Sequence, residues 1–210
     1  MDVGKRNACE IETALKKIGI DLNSLDNMLD FGCGCGRTLI WFSDKKAKIY
    51  GTDIDADAIK WVSNNLDFGT FTVNGSLPPL EYGDSTFDFI YAISVFSHLN
   101  ENYEFQWLKE LKRVLKTKGI LVVTIHGEAT LKDAVRQGSM ESEHLSKLQK
   151  TGFIYLFNPY LVLGVFPSWY QVSYHTKSYI LDEFGKYFNV LNYIEKGINN
   201  QQDLVVLQKG

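Results

Sequence analysis

The densest run of residues able to do chemistry is Asp30-Phe31-Gly32-Cys33-Gly34-Cys35-Gly36. Alternate glycines let a backbone turn tightly and approach a ligand closely, and the amides of a following helix offer donors to an anion. The spacing is G-x-G-x-G, whereas the nicotinamide-type fingerprint G-x-G-x-x-G needs a glycine where this chain has Arg37. That departure disfavours a nicotinamide oxidoreductase. Downstream, Asp53 closes the run KIYGTD, a point at which a carboxylate can accept hydrogen bonds from both hydroxyls of a ribose. Alone, Asp53 reads equally well as a solvated turn residue; its pairing with the glycine run favours the ribose role. Cys33 and Cys35 raise the question of zinc, but a closed site needs four ligands, and neither a second cysteine pair nor a clustered histidine pair is present. No metal is expected, and both cysteines read as small loop side chains.

Proton transfer would fall to histidine. His98 follows the apolar run FDFIYAI and His126 ends ILVVTI, so both are expected to open on a cleft at the strand ends. There a histidine, with an ordinary pKa near 6.5, can take the proton of a hydroxyl acceptor. A polar residue satisfied at a strand end is the competing expectation for each. His144 lies in a polar helical pattern and belongs on the surface. His175 sits in WYQVSYHTKSY, where Tyr170, Tyr174 and His175 line an acceptor pocket if this segment folds over the strand ends, and pack ordinarily if it does not. Residues 151–180 hold nine of the 28 aromatics of the chain, so an acceptor pocket, a partner contact or a membrane-surface contact would be built here.

The elements that must position these residues follow from periodicity. Apolar spacing predicts a helix over residues 8–18, a buried strand over 27–31 and a helix over 38–42. A strand over 48–53, a helix over 56–66 and a strand over 70–73 come next. Then follow a strand over 87–93, a helix from Tyr103 to Lys116, a turn at Lys118-Gly119 and a strand over 120–125. Strands alternating with helices argue for a doubly wound, mostly parallel sheet, with the ligand outside the carboxyl ends of its strands. Beyond it, Thr130 to Lys150 reads as helical, Ser178 to Phe188 as a helix, and residues 188–194 and 203–208 as strands. The turn GINNQQ is too short for a crossover, so those two strands should be antiparallel neighbours.

At this point the chain resembles the class I S-adenosylmethionine-dependent methyltransferases over about residues 27–126. In that family an acidic residue and G-x-G-x-G follow the first strand, here Asp30 with Gly32, Gly34 and Gly36. An acidic residue ends the second strand, here Asp53, and an adenine-contacting segment follows the third, here Asn74-Gly75-Ser76. The stretch SLPPLEYGDSTFDFIYAISVFSHL is similar to the family's fourth-strand region, and YEFQWLKELKRVLKTKGILVVTIHG to its approach to the fifth. Two positions depart: Asn74 stands where many members have aspartate, and Lys-Thr-Lys-Gly replaces the usual Pro-Gly-Gly. The resemblance implies S-adenosylmethionine as cofactor, with Ile54 against the adenine and Asp30 near the ammonium. It also implies a seven-stranded α/β sheet with helices on both faces and an antiparallel C-terminal hairpin.

Composition fits that reading. The 210 residues carry 22 Lys and Arg against 25 Asp and Glu, a formal charge of -3, which disfavours a nucleic-acid binder. One domain spanning residues 1–210 is expected, with an aromatic-rich insertion at about 128–177. The N-terminus lacks the apolar core of a secretory signal, and no apolar stretch runs unbroken for the roughly 20 residues of a spanning helix. Three cysteines cannot form an even disulfide framework, and a cytoplasmic location is expected. The function expected is methyl transfer to a small-molecule or saccharide acceptor, at oxygen because histidines are on hand and Ala92-Ile93-Ser94-Val95-Phe96 holds no Asn-Pro-Pro-Tyr type motif. The alternative is a non-catalytic S-adenosylmethionine-binding module acting through its aromatic segment.

Overall fold

The computed structural model of the chain describes residues 2–158 and 167–210. In chain order its strands are β1 (Asn27–Phe31), β2 (Lys48–Asp53), β3 (Gly69–Val73), β4 (Phe87–Ala92), β5 (Leu115–Ile125), β6 (Phe153–Leu156), β7 (Val172–His175), β8 (Asn189–Ile198) and β9 (Gln202–Gln208). Seven of them form one sheet in the order β3-β2-β1-β4-β5-β9-β8, while β6 and β7 pair separately as an antiparallel hairpin. β1 is flanked in parallel by β2 and β4, with Leu29 opposite Tyr50 on one side and Ile90 on the other. The winding therefore reverses at β1, which opens a crevice at its carboxyl end. The last two strands run antiparallel, as the short turn between them requires.

Both faces of the sheet are covered, which is why β4 and β5 are apolar at successive positions rather than alternate ones. Phe87, Ile90, Leu121 and Val123 pack with Trp107, Leu108 and Leu111 of α3 (Glu101–Val114). Phe89, Tyr91, Ile120 and Val122 face the other way, with Ile11 and Leu15 of α1 (Val3–Lys17) and Ile59 and Val62 of α2 (Ala56–Asn65). Side-chain oxygens cap these helices: Asp2 accepts from Gly4 N–H, Asp55 from Asp57 and Ala58 N–H, and Asn100 from Tyr103 N–H. Each satisfies donors that the first helical turn leaves without intrahelical partners.

The structure departs from the periodicity reading in several places. The helix expected at 38–42 is a short 3-10 turn, Leu39–Phe42. No turn separates helix from strand at Lys118-Gly119; β5 runs through it from Leu115, and Lys118 takes φ 62 in a bulge where the pairing with β4 slips. A bulge of this kind admits extra residues without ending the strand. The polar stretch expected as helical forms two helices, α4 (Glu128–Arg136) and α5 (Ser142–Thr151), parted near Gly138 at φ 72. The next helix, α6 (Lys177–Glu183), passes into a 3-10 turn at Phe184–Lys186.

The hairpin β6–β7 falls inside the aromatic segment, where no strand was expected. Its Val172 and Tyr174 pack with Leu131, Leu148 and Ile154 in a small core of their own. Ser173 and His175 point the other way, toward the main sheet. Ser173 donates its N–H to Ser97 O and its hydroxyl to Phe96 O, and His175 N–H reaches His126 O. β7 thus lies across the chain just beyond β4 and β5. Tyr160 and Phe166 of the aromatic segment lie outside the described residues. No helix among the described residues is long and apolar enough to cross a membrane.

Candidate active site

The glycine turn takes the shape its spacing implies. Gly32 stands at φ 85, a left-handed conformation costly for any side chain, and a Cβ there would meet Val95 Cγ2 at 2.4 Å. The segment after β4 is thereby seated directly on the turn after β1. At Gly34 a Cβ would meet nothing within 4 Å, so this backbone borders open space. Asp53 joins the turn from the end of β2: its Oδ2 accepts Gly34 N–H at 2.8 Å and its Oδ1 accepts Asp55 N–H at 2.9 Å. A carboxylate offers about four acceptor positions, so hydroxyl donors can still be received.

Asp30 sits beneath the turn, 4% exposed, with the hydroxyl of the fully buried Tyr91 donating to Oδ2 at 2.8 Å. Burial pushes its carboxyl up to about 7, the Tyr91 hydrogen bond works against that rise, and the charge of Asp53 adds to it. Thr52, Thr72, Asn74, Gly75, Pro79 and Glu81 line a cleft at the ends of β2 and β3. There Asn74 Oδ1 accepts the Thr52 hydroxyl at 2.9 Å and its Nδ2 donates to Gly75 O. Asn74 therefore braces the loop with both ends of its side-chain amide. Ser76 gives its carbonyl to Trp107 Nε1, and Ile54 is half-buried beside Asp53. A glycine turn open at Gly34, a carboxylate fixed at its lip and a buried carboxyl with no ion-pair partner among the described residues suit a ligand that combines a ribose with an ammonium.

His98 and His126 come together, their rings edge to face with centroids 5.7 Å apart. β7 and the residue before it hold both: His98 Nδ1 lies 2.7 Å from Gln171 O, and His126 Nδ1 lies 3.2 Å from Ser173 O. Tyr170 stacks on His98 at 4.3 Å, and its hydroxyl points to Ser94 O. Desolvation lowers the pKa of His98, and lowers that of His126 to about 4 with help from the charge His98 would carry. Both imidazoles are consequently neutral near pH 7. Burial pushes the Tyr170 hydroxyl well up, and the Asp53 charge raises it further, so Tyr170 stays protonated within the field of the glycine turn.

Two expected residues are placed differently. His175 is fully buried, its Nε2 2.6 Å from Oε1 of the equally buried Glu104, and is ringed by Phe153, Tyr179 and Phe184. The reading of His175 as a base open to substrate is corrected: the ring is sealed from solvent and fastens β7 to α3. Tyr174, 5% exposed, belongs to the small core beneath the hairpin, with its ring 5.3 Å from that of His126. It supports the site instead of lining an opening. Cys33 is packed against Gly51, and Cys35 is exposed.

Sequence reasoning missed Gln202. Its Oε1 accepts the hydroxyls of Thr124 at 2.6 Å and Ser94 at 3.2 Å, while its Nε2 lies 3.3 Å from His126 Nε2. Nothing in the turn GINNQQ distinguishes this glutamine from its neighbour; only the antiparallel pairing of β9 on β5, with Ile125 opposite Asp203, brings it to the histidines.

With this geometry in view, comparison with known proteins is informative. Residues 29–123 match a family described as "Methyltransferase domain". The PH0226 protein from Pyrococcus horikoshii has a similar structure, with a TM-score of 0.65 at 18% identity over 96% of this chain and 91% of that one. A SAM-dependent methyltransferase from Methanosarcina mazei gives 0.63 at 19% identity, covering 93% and 96% of the two chains. An S-adenosylmethionine-dependent methyltransferase from Clostridium acetobutylicum gives 0.67 at 12% identity, covering 100% and 93%. At such identities the likeness is one of fold. In sequence, the uncharacterized protein MJ0638 of Methanocaldococcus jannaschii is 26% identical over 128 residues, which is 59% of this chain. The chain spans about half, 54%, of that relative's length.

Proposed function

We propose that the chain is a class I, Rossmann-like methyltransferase that takes S-adenosylmethionine as its cofactor, a reading supported by the match of residues 29–123 to a methyltransferase domain, and that it methylates a neutral small molecule or saccharide at oxygen. The observation that carries the proposal is the histidine pair. His98 and His126 stand just past β4 and β5, neutral at pH 7, and His98 shares its segment with Val95, which is seated on the glycine turn. When bound, S-adenosylmethionine supplies a methyl group already activated on a sulfonium.

The residues of the chain then have three tasks. Asp53 and the glycine turn hold the ribose end, with Gly75 and Ser76 beside the adenine and Ile54 packed on it. Asp30, close to its midpoint at neutral pH, is poised to ionise against an ammonium. One histidine of the pair receives the proton of the acceptor hydroxyl, so charge does not build up on oxygen. Most of the remaining acceleration comes from holding the acceptor in line and keeping water out. Tyr170, stacked on His98, provides a flat apolar wall for this. The side chains touching the two histidines, Tyr170, Tyr174 and Gln202, are uncharged, which favours a neutral acceptor. The free thiols Cys9, Cys33 and Cys35 favour a reducing, cytoplasmic setting.

A screen of hydroxylated small molecules and saccharides with methyl-labelled S-adenosylmethionine tests the proposal. Label is expected on an acceptor oxygen. Label on nitrogen or carbon alone would overturn the oxygen assignment, and cofactor binding without transfer to any compound would favour the non-catalytic module.

A further inference from the structure

We propose that His98 alone is the base of this site, through Nε2, and that Gln202 is the positioning residue that withdraws His126 from that role. The inference rests on the methyl-transfer reading above and deepens it. It follows from hydrogen-bond directions. A carbonyl oxygen only accepts, so Gln171 O at 2.7 Å fixes the His98 proton on Nδ1 and leaves Nε2 with its lone pair. Ser173 O at 3.2 Å does the same for His126.

The two rings then differ at Nε2. Gln202 Oε1 accepts from the Thr124 and Ser94 hydroxyls, so its Nε2 is the donor end, aimed at His126 Nε2 at 3.3 Å. The second lone pair is thus occupied. His98 Nε2 has no hydrogen-bond partner among the described residues, and His98 is partly exposed. His175 offers no competing base, since its Nε2 is bound to Glu104 and both side chains are sealed. In the reaction the acceptor O–H bond breaks and its proton goes to His98 Nε2. The oxygen pair forms the new bond to the methyl carbon, and the pair of the broken C–S bond stays on sulfur, leaving a neutral thioether and an imidazolium.

Diethyl pyrocarbonate acylates imidazole nitrogens that hold a free lone pair, and peptide mass mapping of the full chain reads each histidine separately. His98 is expected to be modified at least tenfold faster than His126, with His175 unreactive. In Gln202→Leu the His126 rate should rise toward that of His98. Equal rates for His98 and His126 in the unaltered protein, or a His126 that stays masked in Gln202→Leu, would overturn the inference. With an acceptor identified by the labelled-methyl screen, His98→Gln should lower turnover at least about 100-fold while calorimetry finds S-adenosylhomocysteine affinity unchanged. Unchanged turnover in His98→Gln would also overturn it. If S-adenosylhomocysteine does not bind the unaltered protein, the methyltransferase reading fails instead, whichever histidine reacts.

Discussion

Asp30 and Asp53 illustrate two uses of a carboxyl at one turn. Asp53 is already spoken for by Gly34 and Asp55 N–H groups, so it shapes the turn whose ribose contact is proposed above. Asp53→Ala is expected to weaken S-adenosylmethionine binding by roughly 1.5–3 kcal/mol, about 10- to 150-fold in Kd by calorimetry. Asp30 is held near 7 by burial, against an ordinary value of 3.8. Between those values the folded chain binds a proton that the unfolded chain releases, so this group's contribution to stability falls as pH rises from about 4 to about 7. Asp30→Asn keeps an acceptor for Tyr91 and removes the buried charge. Its thermal midpoint should exceed that of the unaltered protein at pH 8 by an amount on the order of 1 kcal/mol or more, about 2–4 °C, with little gain at pH 4. The same variant should bind cofactor more weakly at pH 8, because the ammonium has lost its counter-charge. Equal gains in Tm at both pH values would show that Asp30 does not titrate in this range.

Among the elements, the strands and helices around the glycine turn were legible because their apolar residues repeat at the period of the element they form. β5 declared itself by the unbroken apolar run over 120–125, and α2 by Ile59 and Val62 on one face. The hairpin β6–β7 was not legible. Its four-residue strands are too short for a period, and the pairing of Phe153 with His175 spans a separation that no local pattern reports. The placement of His175 was lost for the same reason: one face of β7 turns inward only because the strand docks on the ends of β4 and β5. That docking needs Gly127, where a Cβ would fall 1.8 Å from Asp203 Oδ2, a buried carboxylate held by Tyr193 and Lys196 N–H. Gly127→Ala is expected to cost about 1–3 kcal/mol in denaturant unfolding and to lower methyl transfer as the histidines lose register with β7. Unchanged stability would mean that Asp203 yields without consequence.

For the molecule as a whole, glycine turn, histidine pair and hairpin hang from one sheet, so ligand binding should be felt as global stability. S-adenosylmethionine or S-adenosylhomocysteine at 100 times its dissociation constant is expected to stabilise the chain by about 2.7 kcal/mol, seen as a rise in Tm, and NAD to have no such effect. A rise with NAD alone would contradict the site as assigned. One feature of the hairpin reaches further. Gly127 and His175 are bridged, so the chain leaves the sheet at the end of β5 and comes back to the same spot before α6. A length of chain that departs and returns side by side can be exchanged without stretching what remains. Exchanging this excursion as a cassette would therefore change what covers the ends of β4 and β5 while the glycine turn after β1 stays as it is.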